Sequence, residues 1–105
     1  MDWQQKAAAL DALADIKICI RRPGDWYINQ STEIKDGGML CGSYGNGETP
    51  EQAIEDHWRI LTEIEPPKYV VVHAGSRLRQ AVRWNGYMWS TVIEQTSPSA
   101  TLKFQ

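Results

Sequence analysis

Cysteine and histidine are scarce in this 105-residue chain, two of each, and there is a single phenylalanine. Cys19 and Cys41 are too few for a disulfide framework and lack the paired spacing of a zinc site, so both are expected as free thiols. Long apolar runs are missing too. Nothing approaches the ~18 residues needed to cross a bilayer, and the first residues lack the basic-then-apolar order of a secretion signal. A cytosolic protein without membrane contact is expected. Neither sign of charge dominates. Lys and Arg total 11 against 13 Asp and Glu, for a net charge of −2 and a pI near 5.6. A surface built throughout to hold phosphate backbones is therefore excluded, while a local basic patch is not.

What remains is ordinary globular composition, 42% apolar and 23% charged. At this length one modest core fits, burying roughly two thirds of the surface exposed when unfolded. Trp3, Ala7, Leu10 and Ala14 recur at helical intervals, and Asp2 can cap a helix that starts there. From Ile16 the period changes to two, so Ile16, Ile18 and Ile20 share one face of a strand and Lys17, Cys19 and Arg21 the other. Pro23-Gly24-Asp25 turns the chain. A second strand over 26 to 35 alternates less cleanly, and Asp36-Gly37-Gly38 leads into a return strand from Met39 to Tyr44. Pairing Ile20 with Ile28, and Ile34 with Met39, gathers the isoleucines, Trp26, Met39 and Cys41 on one side of a three-stranded meander. Tyr27, Asn29 and Tyr44 gather on the other.

Thr49-Pro50-Glu51-Gln52 is a strong helix start, with a cap, a proline at the first position and a glutamine to complete a capping box. Ile54, Trp58, Leu61 and either Ile64 or Glu65 mark its buried stripe, and Pro66-Pro67 ends it. Tyr69 to His73 suits a central strand. A last hairpin is expected from Leu78 to Ile93 around Asn85-Gly86, with Trp84 facing Tyr87. The architecture is thus α+β in the order α-β-β-β-α-β-β-β, an antiparallel sheet with both helices on one face. Residues 1 to 93 form a single domain and 94 to 105 a polar, fraying tail.

The order helix, three strands, helix resembles the double-stranded RNA-binding domain over residues 2 to 64, but Glu48, Glu51, Glu55 and Asp56 stand where that family carries lysines. Gly45, Gly47, Thr49, Pro50, Glu51 and Ala53 resemble the strand-to-helix junction of the HicB-like antitoxin fold over residues 26 to 64, which implies the meander-plus-helix unit. Gly-Asp-Trp-Tyr at 24 to 27, Gly-Asn-Gly-Glu-Thr-Pro-Glu at 45 to 51 and Arg-Trp-Asn-Gly-Tyr-Met-Trp at 83 to 89 resemble small proteins of tailed phages and prophages. That resemblance implies an accessory role in an infected bacterium.

Groups able to make or break bonds are scattered. His57 sits beside Ala53 and Ile60 on a helix, where a hydrogen-bonded core histidine is the expectation. His73 ends a strand beside a glycine loop, and a Cys41 and His73 pair is the sole nucleophilic arrangement the spacing leaves open. Glu51 and Glu55 read as a solvated face. Glycines 45 and 47 precede a helix without a P-loop lysine, so no nucleotide, cofactor or metal is expected.

One constellation rises above these. Arg77, Arg79, Ala81 and Arg83 project to one side of a strand, and Leu78, Val82 and Trp84 to the other. An arginine face suits a nucleic-acid strand or an acidic protein surface, or simply guards a sheet edge. Trp84, Tyr87 and Trp89 form an aromatic side that is either core or an interface, and Tyr27 and Tyr44 offer a second candidate surface. The expectation is a non-catalytic protein that binds a host or phage macromolecule, in a counter-defence or regulatory role. An acidic second helix opposite the arginine strand suits a protein partner or head-to-tail self-association. The alternative is a nucleic-acid-binding module using Arg77, Arg79 and Arg83. A small hydrolase centred on His73 is least favoured.

Overall fold

The computed structural model describes residues 1–74 and 78–93, except for the side chains of 74, 78 and 79. The expected 94–105 tail lies outside the described residues. Helix α1 (Trp3–Asp11) is followed by β1 (Lys17–Arg22), β2 (Asp25–Asn29), β3 (Thr32–Asp36), β4 (Met39–Gly42) and the two-residue β5 (Asn46–Gly47). Then come α2 (Pro50–Thr62), β6 (Tyr69–Ala74), β7 (Leu78–Trp84) and β8 (Trp89–Thr91). The class is α+β, and the order of helix, strands, helix, strands is the expected one.

Both helix starts follow from their first residues. Asp2 accepts from the Gln5 N–H while the Gln5 side chain accepts from the Asp2 N–H, closing a capping box. Thr49 caps α2 by accepting from the Gln52 N–H, but the Gln52 side chain reaches one residue further back, to the Glu48 N–H. The expected reciprocal box is therefore replaced by two staggered bonds, which still occupy two free donors at the helix entrance.

The strands between the helices are divided between two antiparallel sheets, one in the order β1-β2-β5 and the other β4-β3-β6-β7-β8. The run expected as one strand over 26 to 35 is broken at Gln30-Ser31, where the chain leaves the first sheet for the second. Polar side chains turned inward mark the break. Gln30, Thr32, Ser43 and His57 are all buried. Thr32 and Ser43 share a hydroxyl hydrogen bond of 3.0 Å, and Ser43 also donates to the Thr32 carbonyl. A strand interrupted by buried polar groups loses its clean alternation, which accounts for the weak pattern of this segment.

In the three hairpins for which a register was expected, the partners are displaced by two residues from it. Ile20 pairs with Trp26, Ile34 with Cys41 and Trp84 with Trp89. The first turn tightens onto Pro23-Gly24, with an irregularity between Ile20 and Arg22. The last opens to span Asn85 to Met88, because the Asn85 side chain accepts from the backbone N–H groups of Tyr87 and Met88. A displacement of two leaves the paired side chains on their expected faces, since the pleat repeats every two residues; Arg22 is the exception, because the irregularity sets it opposite Asp25 and not Trp26.

Leu10, Ile28, Ala53, Ile54, Leu61, Val70, Val72 and Val82 form the core. Helix α2 packs over β2 and β5, touches β7, and is covered by α1. β6 is the middle strand of its sheet, as its apolar run implied. Not all of the expected apolar side is covered, however. Ile18 is 43% exposed, Ile20 50% and Met39 68%. The reason is position: β1 and β4 are outer strands, and facing the core side does not bury a residue that lies beyond the helices.

Candidate functional site

The two histidines have different surroundings. His57 is fully buried on α2. Its Nδ1 accepts from the Gly45 N–H at 3.2 Å, so Nε2 carries the proton and donates to Gln30 Oε1 at 2.9 Å. Gln30 in turn donates to the carbonyls of Leu10 and Ala14. One imidazole therefore ties together α1, the break between the sheets and the strand-to-helix junction. Burial pushes its pKa down to about 4, against a smaller upward pull from Asp56. Gly45 and Gly47 belong to the same junction. A Cβ at Gly45 would strike the Ala53 carbonyl oxygen and the backbone of His57, and one at Gly47 would come within 2.6 Å of the Ala53 nitrogen. The glycines let the chain lie directly against α2, which is a packing role.

His73 lies on the face of the larger sheet opposite Val70 and Val72, where its Nε2 donates to Glu33 Oε1 at 2.7 Å. A carboxylate can orient such a ring, but catalysis also needs a nucleophile within its reach. Cys41 is paired with Ile34 and so shares the opposite face with Val70 and Val72. The arrangement considered for Cys41 and His73 is thus divided by the thickness of the sheet. No group of three His, Cys, Asp or Glu side chains that could hold a metal occurs among the described residues, and no described helix is long and apolar enough to cross a membrane.

The arginine strand is only partly described. Arg77 lies outside the described residues, and the side chain of Arg79 does too, although its backbone pairs with His73. Arg83 is present on the expected face. Its Nε and Nη2 both donate to the Lys68 carbonyl, at 3.1 and 2.7 Å, so the guanidinium braces the entry to β6. With Lys35, Tyr69, Pro66, Pro67 and Ile93 it lines a groove of about 410 Å³.

The aromatic side separates into two environments. Trp84 and Trp89 are half-buried and join Trp58 of α2 in a cluster of edge-to-face contacts, with ring centroids 4.8, 5.9 and 5.2 Å apart. The Trp89 indole N–H also donates to the Ala9 carbonyl. These two rings hold the helices to the sheet. Tyr87, at the tip of the opened turn, is 91% exposed. The acidic helix is likewise partly engaged: Glu55 pairs with Lys6 of α1, and Asp56 binds Arg59 and the Asn46 N–H. For Asp56, burial pulls the pKa up, but these two partners outweigh it and hold the carboxyl below its ordinary value.

On the smaller sheet, Tyr27 is half-buried and Tyr44 exposed. The guanidinium of Arg21 stacks 4.1 Å from the Tyr27 ring centre and bonds Asp25 and Asn46. This arginine was missed in the sequence because a lone cation on an alternating strand carries no signal until its neighbours are known. The exposed isoleucines of β1 were missed for the converse reason: their alternation reads as core. No family model matches the chain, and no curated protein or solved structure matches it at a significant level.

Proposed function

We propose that this is a non-catalytic binding protein that acts by occupying a surface of a protein partner. The observation that carries the reading is the placement of its apolar side chains: Ile18 and Ile20, whose alternation reads as core, stand exposed on an outer strand that is paired along one side only. Such an edge favours association with another chain. The distribution of reactive groups supports the same reading. His57 has both ring nitrogens engaged inside the fold, and His73 is separated from Cys41. The resemblance of three segments to phage and prophage proteins supports a host or phage macromolecule as the partner, met in the bacterial cytosol in a counter-defence or regulatory setting.

A tagged copy in bacterial cells should recover a companion protein near one-to-one stoichiometry that survives nuclease treatment. Recovery of nucleic acid alone would refute the reading. So would binding to an oligonucleotide that weakens steeply with salt and loses part of that slope in Arg79→Ala and Arg83→Ala, which is the behaviour of the nucleic-acid alternative.

A further inference from the structure

The outer strands among the described residues are β1, β5, β4 and β8. β5 has two residues and is pressed against α2; β4 has four and β8 three. β1 has six, pairs only with β2, and is exposed at every position except Cys19, which is half-buried. It is the longest free edge in the described structure. We propose that β1 receives an extended acidic segment of a partner protein, which joins the smaller sheet as a fourth strand.

This inference rests on the binding reading above and specifies its chemistry. A strand edge offers backbone N–H and C=O groups in a row, which an extended peptide can match. The side chains then select among peptides. Ile18 and Ile20 present an apolar strip continuous with Trp26, their shared face set by the pairing of Ile20 with Trp26. Alternating with them are cations. Arg21 and Arg22 share the one carboxylate of Asp25, at 3.2 and 3.5 Å, and Lys17 forms no ion pair among the described residues. Asp15 and Asp11 lie at the approach to the strand, and Asp11 is turned onto the Ile16 N–H. Three cations along the strand thus face a single carboxylate. Arg21 is already held by Asn46 and the Tyr27 ring, so little further ordering is needed for it to meet an acid.

Charge also argues against a second copy of the chain as the occupant. The antiparallel register that sets Ile18 against Ile20 of another copy places Lys17 opposite Arg21 at both ends, which is repulsive. An acidic strand meets attraction at the same positions. Nucleic acid fits less well, because the exposed apolar groups here are aliphatic and give bases no ring to stack on.

Three short capped peptides test the proposal by fluorescence anisotropy against the intact protein. One alternates Val with Asp and Glu, the second carries Lys at the acidic positions, and the third is the acidic peptide N-methylated at alternate residues. The acidic peptide should bind saturably, and the other two at least about tenfold more weakly, since one lacks charge attraction and the other edge hydrogen bonds. Lys17→Glu combined with Arg22→Glu, both on exposed residues, should weaken the acidic peptide by about tenfold or more. Amide exchange should slow along residues 17 to 22 when it binds. The proposal is overturned by absence of binding, by equal affinity for the Lys or N-methylated peptide, by protection on β4 in place of β1, or by protection of β1 in a peptide-free dimer. Capture of a cellular companion without protection of β1 would overturn this proposal alone and leave the binding function standing.

Discussion

Mild acid should destabilise this protein first through His57. An imidazole that titrates at about 4 when folded and at an ordinary 6.5 when unfolded binds protons more readily in the unfolded chain. Stability from a neutral His57 is therefore complete above pH 6.5 and is lost as the pH falls toward 4. Each pH unit of difference is worth about 1.4 kcal/mol, so the full loss is about 3 kcal/mol, of which about 1 kcal/mol falls between pH 7 and 5.5. The structural cause is specific. Protonating Nδ1 would set a second donor against the Gly45 N–H inside a fully buried site. The depressed pKa of Asp56 acts in a lower window, because its stabilisation is lost only as pH falls below the ordinary carboxyl range. Urea unfolding followed by tryptophan fluorescence, repeated from pH 7.5 to 4.5, measures the slope. His57→Gln removes the titrating group and should flatten the curve in that interval while lowering stability at pH 7. Parallel curves for the two proteins would refute the assignment, as would an NMR titration placing the His57 midpoint near 6.5.

Two other perturbations probe the junction and the tryptophan cluster. Gly45→Ala drives a methyl group into helix backbone that cannot yield and should cost about 3 kcal/mol or prevent folding, whereas Gly38→Ala, with open space around it, should stay within about 0.5 kcal/mol in the same assay. Trp58→Ala should cost about 3 kcal/mol by emptying the centre of the three-ring cluster, and Trp89→Phe about 1 kcal/mol through loss of the indole bond to Ala9, both read from thermal or urea midpoints.

Of the candidate site, less was legible in the sequence than of the fold. The exposure of Tyr44 and the hydrogen-bonded role of His57 follow from residue type and position, whereas Tyr87, read together with Trp84 and Trp89 as core or interface, is left 91% exposed by the opened turn. Ile18 and Ile20 are different: their alternation says that they share a face but carries no information on whether anything covers it. Trp84 and Trp89 were ambiguous on the same ground, and Trp58, twenty-six residues before Trp84, resolves them into packing.

By itself the amino-acid order determined what depends on near neighbours: the helix starts at Asp2 and Thr49, the places along the chain where it turns back, and the faces on which most strand residues lie. Those faces survived a displacement of two in the three hairpins whose register was expected, because the pleat has a period of two. Only the tertiary structure decided the break at Gln30 into two sheets, the enclosure of His57, and the exposure of β1. Each depends on which distant segments come to rest against a residue, and local periodicity holds no record of that.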